Sequence, residues 1–175
     1  MTDRTVEASP RPRARITGVV YLLYFLTAVL AVFFIRGLVV SGDAAATANN
    51  VLAHERLFRL SVAVGLIATA LYIAVTVLFY GLFKPVNKTV SLLAAFFSLV
   101  GCAIQAFGSL FQVAPLVVLE GSPYLSVFEV EQLQAVALMF IKLNVEAAYI
   151  YLVFFGLFNL LLLIRLFQET TICWG

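Results

Sequence analysis

The chain alternates long apolar runs with short polar breaks. Four runs stand out, Ile16–Ile35, Leu60–Phe83, Val90–Leu119 and Val136–Ile164, each bounded by charged residues. A helix rises about 1.5 Å per residue, so about 20 apolar residues cross the ~30 Å hydrocarbon core of a bilayer. Every run reaches that length. The pattern predicts an all-α integral membrane bundle of four transmembrane helices, at about residues 16–35, 60–83, 90–115 and 138–164.

The breaks predict how the spans connect. Ser41-Gly42-Asp43 reads as a turn and a helix N-cap. Residues 44–59 then read as an extra helical segment that lies in the interface and runs into the second span. Lys84–Lys88, with Pro85, is a tight turn that makes spans two and three an antiparallel hairpin. The longer Glu120–Gln134 break opens with Gly-Ser-Pro, and its 126–134 part is expected to prolong the fourth helix.

Lipid tails are as apolar as leucine, so spans recognise each other through small and polar residues. Span two carries Ser61, Gly65, Thr69, Tyr72, Thr76 and Tyr80 at helical spacing. Span three carries two such stripes, Gly101-Gln105-Gly108-Gln112 and Ala94-Ser98-Cys102-Ala106, which predicts neighbours on both sides. Span one offers Gly18, Tyr21, Tyr24, Ala28 and Ala31, and span four Tyr149, Gly156 and Asn159.

Composition agrees. Of 175 residues, 63% are hydrophobic and 11% charged, far from the usage of a water-soluble domain. A single membrane domain, residues 16–165, uses nearly all of the chain. Residues 1–15 read as a disordered basic arm and residues 166–175 as a short tail, both too short to bury a core. Ile16–Ile35 is longer than the 7–15 residues usual for a signal-peptide core, so it is expected as an uncleaved span. Positive residues collect on the cytoplasmic side of membranes. Arg4, Arg11, Arg13, Arg15, Lys84, Lys88 and Arg165 fall on one side, which predicts both termini inside. The Asn87-Lys88-Thr89 sequon then falls in a cytoplasmic turn and reads as chance. Cys102 and Cys173 differ too much in depth to be bridged.

The chemistry is sparse. There is no Gly-rich phosphate loop, no Walker sequence, no C-x-x-C and no H-E-x-x-H. The single histidine, His54, excludes a His-rich metal site within one chain. No cofactor, catalytic residue or nucleic-acid partner is expected. The partners expected are the lipid bilayer and either further copies of the chain or another membrane protein. The run His54-Glu55-Arg56-x-x-Arg59 reads first as a solvated face with local ion pairs, and only second as a pH sensor.

What remains is a set of polar residues in or beside the spans: Arg36, Arg59, Gln105, Gln112, Lys142 and Glu146. Counted from the cytoplasmic charges at about 1.5 Å per residue, they share one level near the outer boundary. Lys142 and Glu146 are four apart and are expected to pair. One account makes the six interfacial, with cations snorkelling to water and glutamines bridging helices; the sequence favours it. The other account makes them an outward-facing layer that binds a small polar or anionic ligand, with Arg59, Gln105, Lys142 and Glu146 converging on one site. A third, an intramembrane enzyme using Glu146 as acid or base, is weaker. The alternative to ligand binding is a non-catalytic helper subunit that docks a partner through its small-residue faces.

Arg15-Ile16-Thr17-Gly18-Val19-Val20-Tyr21-Leu22, entering span one, resembles the opening of a bacterial multi-pass membrane family, domain-of-unknown-function family 4386. Ala48-Asn49-Asn50-Val51 followed by Glu55-Arg56-Leu57-Phe58-Arg59 is similar to the same family before span two, and the resemblance covers about residues 13–162. It implies a bacterial inner-membrane protein with its N-terminus inside, and carries no activity or catalytic residue. Members usually continue into further spans. Leu166–Gly175 departs from that pattern, and the resemblance implies a truncated or frame-shifted end.

Overall fold

A membrane-crossing backbone must satisfy its own N–H and C=O groups, and a helix does so within one segment. The computed structural model of the protein describes residues 10–121 and 123–172. Among them lie α1 (Pro10–Ile35), α2 (Ala44–Ala53), α3 (Glu55–Phe83), α4 (Lys88–Leu119) and α5 (Val130–Ile172), with a 3-10 turn at Pro123–Leu125 and no strand. Four of the helices, α1, α3, α4 and α5, are long and apolar enough to span a membrane. Among the described residues the chain thus has the four membrane-spanning helices that its apolar runs predict.

The helix ends overrun those runs. Pro10 to Arg15, expected as the end of a disordered arm, are the first turns of α1. The reason is local: the first helical turn needs no N–H donors, so Pro10 and Pro12 fit there and fix helical φ. Residues 1–9, the rest of that arm, lie outside the described residues. At the other end α5 continues through residue 166 to Ile172, where a tail is expected; residues 173–175 lie outside. With 43 residues α5 is about 65 Å long, twice the hydrocarbon thickness.

Asp43 caps α2 as expected, its carboxylate accepting from the Ala46 N–H at 2.8 Å. The helix does not run unbroken into the second span. It ends at His54, whose backbone leaves the helical region (φ −122°, ψ 35°), and α3 starts at Glu55. The break lets α2 lie across the end of the bundle. There Val51, with Phe58 of α3, is wholly buried in a cluster with Leu38, Leu116 and Ile141.

The spans pack in sequence: α1 along α3, α3 along α4, α4 along α5. α4 holds neighbours on both sides, as its two stripes predict. Ser98 bonds Thr76 of α3 on one side. Gly101 lies against Tyr151 and Phe154, and Gly108 against Ala147, on the other. The row curls, so that Phe155 and Phe158 of α5 reach the Tyr72 ring of α3. Asn144 donates to the Gly108 carbonyl across helices at 2.9 Å, whereas Asn159 turns back onto Phe155 of its own helix.

Hydroxyls in the spans are satisfied locally. Thr27, Thr69 and Thr76 each donate to the carbonyl four residues back. Tyr72 differs. It is 1% exposed, and its hydroxyl lacks a hydrogen-bond partner. Ser98, a polar neighbour of that hydroxyl, is bonded to Thr76. An unmade hydrogen bond of this kind costs about 1–3 kcal/mol. Tyr72→Phe is therefore expected to raise stability by about that amount in detergent unfolding, and a loss of stability would show that the hydroxyl is bonded.

Candidate functional site

Because α1 packs on α3 and α4 carries α5, the backbones of α1 and α5 stand apart. A bridge crosses the gap, the Tyr24 hydroxyl against the Tyr151 hydroxyl at 3.0 Å. Tyr24 also lies over Tyr72, with ring centroids 4.7 Å apart. Counted along each helix, this tyrosine layer is about 14–21 Å from Arg15, Lys84, Lys88 and Arg165, and about 18–20 Å from Arg36 and Arg59. It marks the middle of the hydrocarbon core.

Two cavities open beside the bridge. The first, about 560 Å³, runs between α1 and α5 from Tyr21 past Phe25 and Val32 to Arg36, with Leu152 and Phe155 opposite. The second, about 310 Å³, reaches inward to Thr69 and Tyr72 of α3 and to Cys102 and Gln105 of α4. They share Tyr24, Ala28, Val32, Tyr151 and Leu152, and so form one groove with a shallow and a deep arm. Its walls are apolar. Its polar lining residues are Arg36 at one end, Tyr21 at the other, and the tyrosine pair, Thr69, Tyr72 and Gln105 at depth. Both volumes fall in or near the ~300–1,000 Å³ usual for small-molecule sites.

The six polar residues singled out by sequence are not gathered into one site. Arg36 and Gln105 line the groove, in its two different arms. Arg59 is bound up in an ion-pair clamp, its Nε 2.6 Å from Glu55 and its Nη2 on Glu120, which ties the start of α3 to the end of α4. Gln112 donates to Ser61 of α3 at 3.1 Å, the bridging role expected of it. Lys142 and Glu146 are exposed on the side of α5 away from α4, and among the described residues neither forms an ion pair. The expected level is also not shared. Gln105 and Glu146 stand about 6–8 Å from the tyrosine layer, Lys142 and Gln112 about 14–16 Å, Arg36 and Arg59 about 18–20 Å.

Sequence reasoning chose Tyr149 on the last span and missed Tyr151. Tyr149 is 59% exposed, while Tyr151 is the groove's bridge. A signal was available: tyrosine favours the membrane boundary, so one at mid-span depth needs a protein partner. His54 is exposed, its ring nitrogen 3.1 Å from the Asn50 carbonyl, and its run forms the local Glu55–Arg59 pair. Among the described residues no three metal-ligating side chains cluster.

Neither a curated protein nor a solved structure matches the chain. A family profile does, over residues 16–173, and so through most of the segment that departs from the expected pattern. The four-span bundle and that match, covering nearly the whole chain, make this protein a member of the family described as domain of unknown function 4386.

Proposed function

We propose that this protein binds a membrane-borne anionic amphiphile in the groove between α1 and α5. One observation carries the reading: an apolar groove, open between two spans, ends in a guanidinium. Arg36 stands about 22 Å along α1 from Tyr21, more than the ~15 Å half-thickness of the hydrocarbon core. A single acyl chain fits that length with its acidic head at Arg36 and its tail against Phe25, Val32 and Leu152. Arginine is suited to the head because its planar fork grips a carboxylate or phosphate with two hydrogen bonds. The deep arm, with Gln105 and the tyrosine pair, supports recognition of a polar group part-way down the chain. This reading narrows the expected polar or anionic ligand to one that enters from the lipid. In the bacterial inner membrane, with both termini in the cytoplasm, Arg36 would face the outer leaflet.

The test uses a photoactivatable palmitate and the matching photoactivatable alcohol, each added to the protein in lipid nanodiscs. Palmitate is expected to label peptides containing Val32 or Leu152, and the alcohol to label them weakly. Arg36→Glu should lower palmitate labelling about tenfold, the ratio given by a loss of about 1.4 kcal/mol. Equal labelling by the two probes, or equal labelling of the exposed α4 face around Leu110, would reject the reading.

The second reading, a helper subunit that docks a membrane partner, has a different observation in its favour: the charges on the outer face of α5.

A further inference from the structure

The apolar runs of the spans carry four amide side chains, Gln105, Gln112, Asn144 and Asn159. The bundle satisfies three of them. Gln112 donates to Ser61, Asn144 to the Gly108 carbonyl and Asn159 to the Phe155 carbonyl. Gln105 is the exception. Ser109 donates to its backbone carbonyl, but among the described residues its side-chain amide has no partner. That amide belongs to the lining of the groove's deep arm. An unmatched amide at this depth is costly, since hydrocarbon offers nothing to replace the missing bond.

A second unmatched group lines the same arm. In the Tyr24–Tyr151 bridge one O–H donates and the other oxygen accepts. The accepting tyrosine keeps its own O–H, and among the described residues no acceptor takes it. The Thr69 hydroxyl donates to Gly65 within its own helix, so toward the groove it only accepts. No charged residue is among those lining this arm.

We infer that the groove selects an acid whose chain carries a hydroxyl near its middle, the carboxylate at Arg36 and the hydroxyl between Gln105 and the tyrosine pair. The inference rests on the proposal that an anionic amphiphile fills the groove, and adds which chain the deep arm prefers. The group read there is neutral, because a second anion at this depth would find no cation. A hydroxyl meets both unmatched roles, donating to the Gln105 oxygen and accepting from the spare tyrosine O–H, whereas a keto oxygen only accepts.

Helix rise sets the position of that hydroxyl. Arg36 stands about 18 Å along α1 from Tyr24. Gln105 lies about 6 Å from the tyrosine layer on the Arg36 side, so the deep polar groups are about 12–18 Å from the Arg36 level. Carbon–carbon bonds of about 1.5 Å zigzag to an advance of about 1.25 Å per carbon, which puts the hydroxyl about 10–14 carbons from the acid.

Displacement of the photoactivatable palmitate from the groove tests this. Stearate, 3-hydroxystearate and 12-hydroxystearate are each titrated into the nanodisc bilayer. 12-Hydroxystearate is expected to displace the probe at about tenfold lower content than either of the others. 3-Hydroxystearate has the same polarity with its hydroxyl at the Arg36 end, and so controls for partitioning. Gln105→Leu should bring the ratio between the two hydroxy acids close to one. Equal displacement by them in the unaltered protein overturns the inference; the groove reading survives that result if both displace and Arg36→Glu weakens both. A preference that persists in Gln105→Leu also overturns it, since the selecting group then lies elsewhere. If palmitate does not label the groove, reading and inference fall together. The comparison of the two hydroxy acids needs no variant and decides the matter even where Gln105→Leu fails to insert.

Discussion

Gly108→Leu is expected to cost the bundle about 3–4 kcal/mol, enough to part α4 from α5 in detergent. An ideal Cβ at Gly108 would stand 2.9 Å from the Ala147 Cβ, closer than real side-chain carbons approach. Even alanine there must push the helices apart, and leucine adds three more carbons to the same gap. Overpacking of this kind costs about 1–3 kcal/mol. The shift also strains the Asn144 bond to the Gly108 carbonyl. Such an interhelical bond in lipid is worth about 0.6–1.7 kcal/mol. Reversible unfolding in mixed micelles reads the sum. The steric account makes a sharper demand on Gly108→Ala: pairing it with Ala147→Gly removes the opposing carbon and should recover most of the loss. If the double variant is no more stable than Gly108→Ala, the contact between these two positions is not what holds α4 to α5.

That contact also explains which parts of the molecule were legible in the sequence. The spans were, since lipid admits only helices of sufficient apolar length, and the runs from Ile16, Leu60, Val90 and Val136 supply them. The Asp43 cap and the two small-residue stripes of α4 were legible because each is a local pattern with one physical meaning. The rotation of α5 was not. In water a helix declares its buried side by where its apolar residues lie. α5 is apolar nearly all round, and lipid and protein interior are alike to it. Small residues set its orientation instead, Gly108 and Gly101 receiving Ala147 and Tyr151. Of the two accounts the sequence offers, interfacial or converging on one site, charge alone does not choose; the fit of α5 against those glycines turns Lys142 and Glu146 outward. The helix ends at Pro10 and Ile172 were illegible for a related reason: beyond the membrane, apolar content no longer marks where a helix stops.

The groove was missed on the same ground. It exists because α1 packs along α3 and not along α5, a choice between equally apolar surfaces. Only the aromatic residues at mid-depth carry a trace of it in the sequence.

Phe158→Ala should destabilise the fold by about 2 kcal/mol, less than the 3–5 kcal/mol usual for a buried phenylalanine in a water-soluble core. Phe158 is 1% exposed and stands edge-on to two rings of α3, Tyr72 at 5.9 Å and Phe79 at 6.2 Å between centroids. In water the cost of this truncation has two parts, the lost transfer of the ring out of solvent and the cavity left behind. For a span the first part nearly vanishes, because the separated helix keeps its phenylalanine in lipid. What remains is lost dispersion across the cavity and two aromatic contacts worth about 0.5–1.5 kcal/mol each. Phe107, 61% exposed on α4, is the control, and its change to alanine should be near neutral. The two variants, unfolded side by side in mixed micelles, therefore measure how α5 is held to α3. A loss at Phe158 no larger than at Phe107 would mean that the rings do not bind these helices together. A loss of 4 kcal/mol or more would mean that the separated helices meet water, which contradicts a chain that crosses the membrane four times.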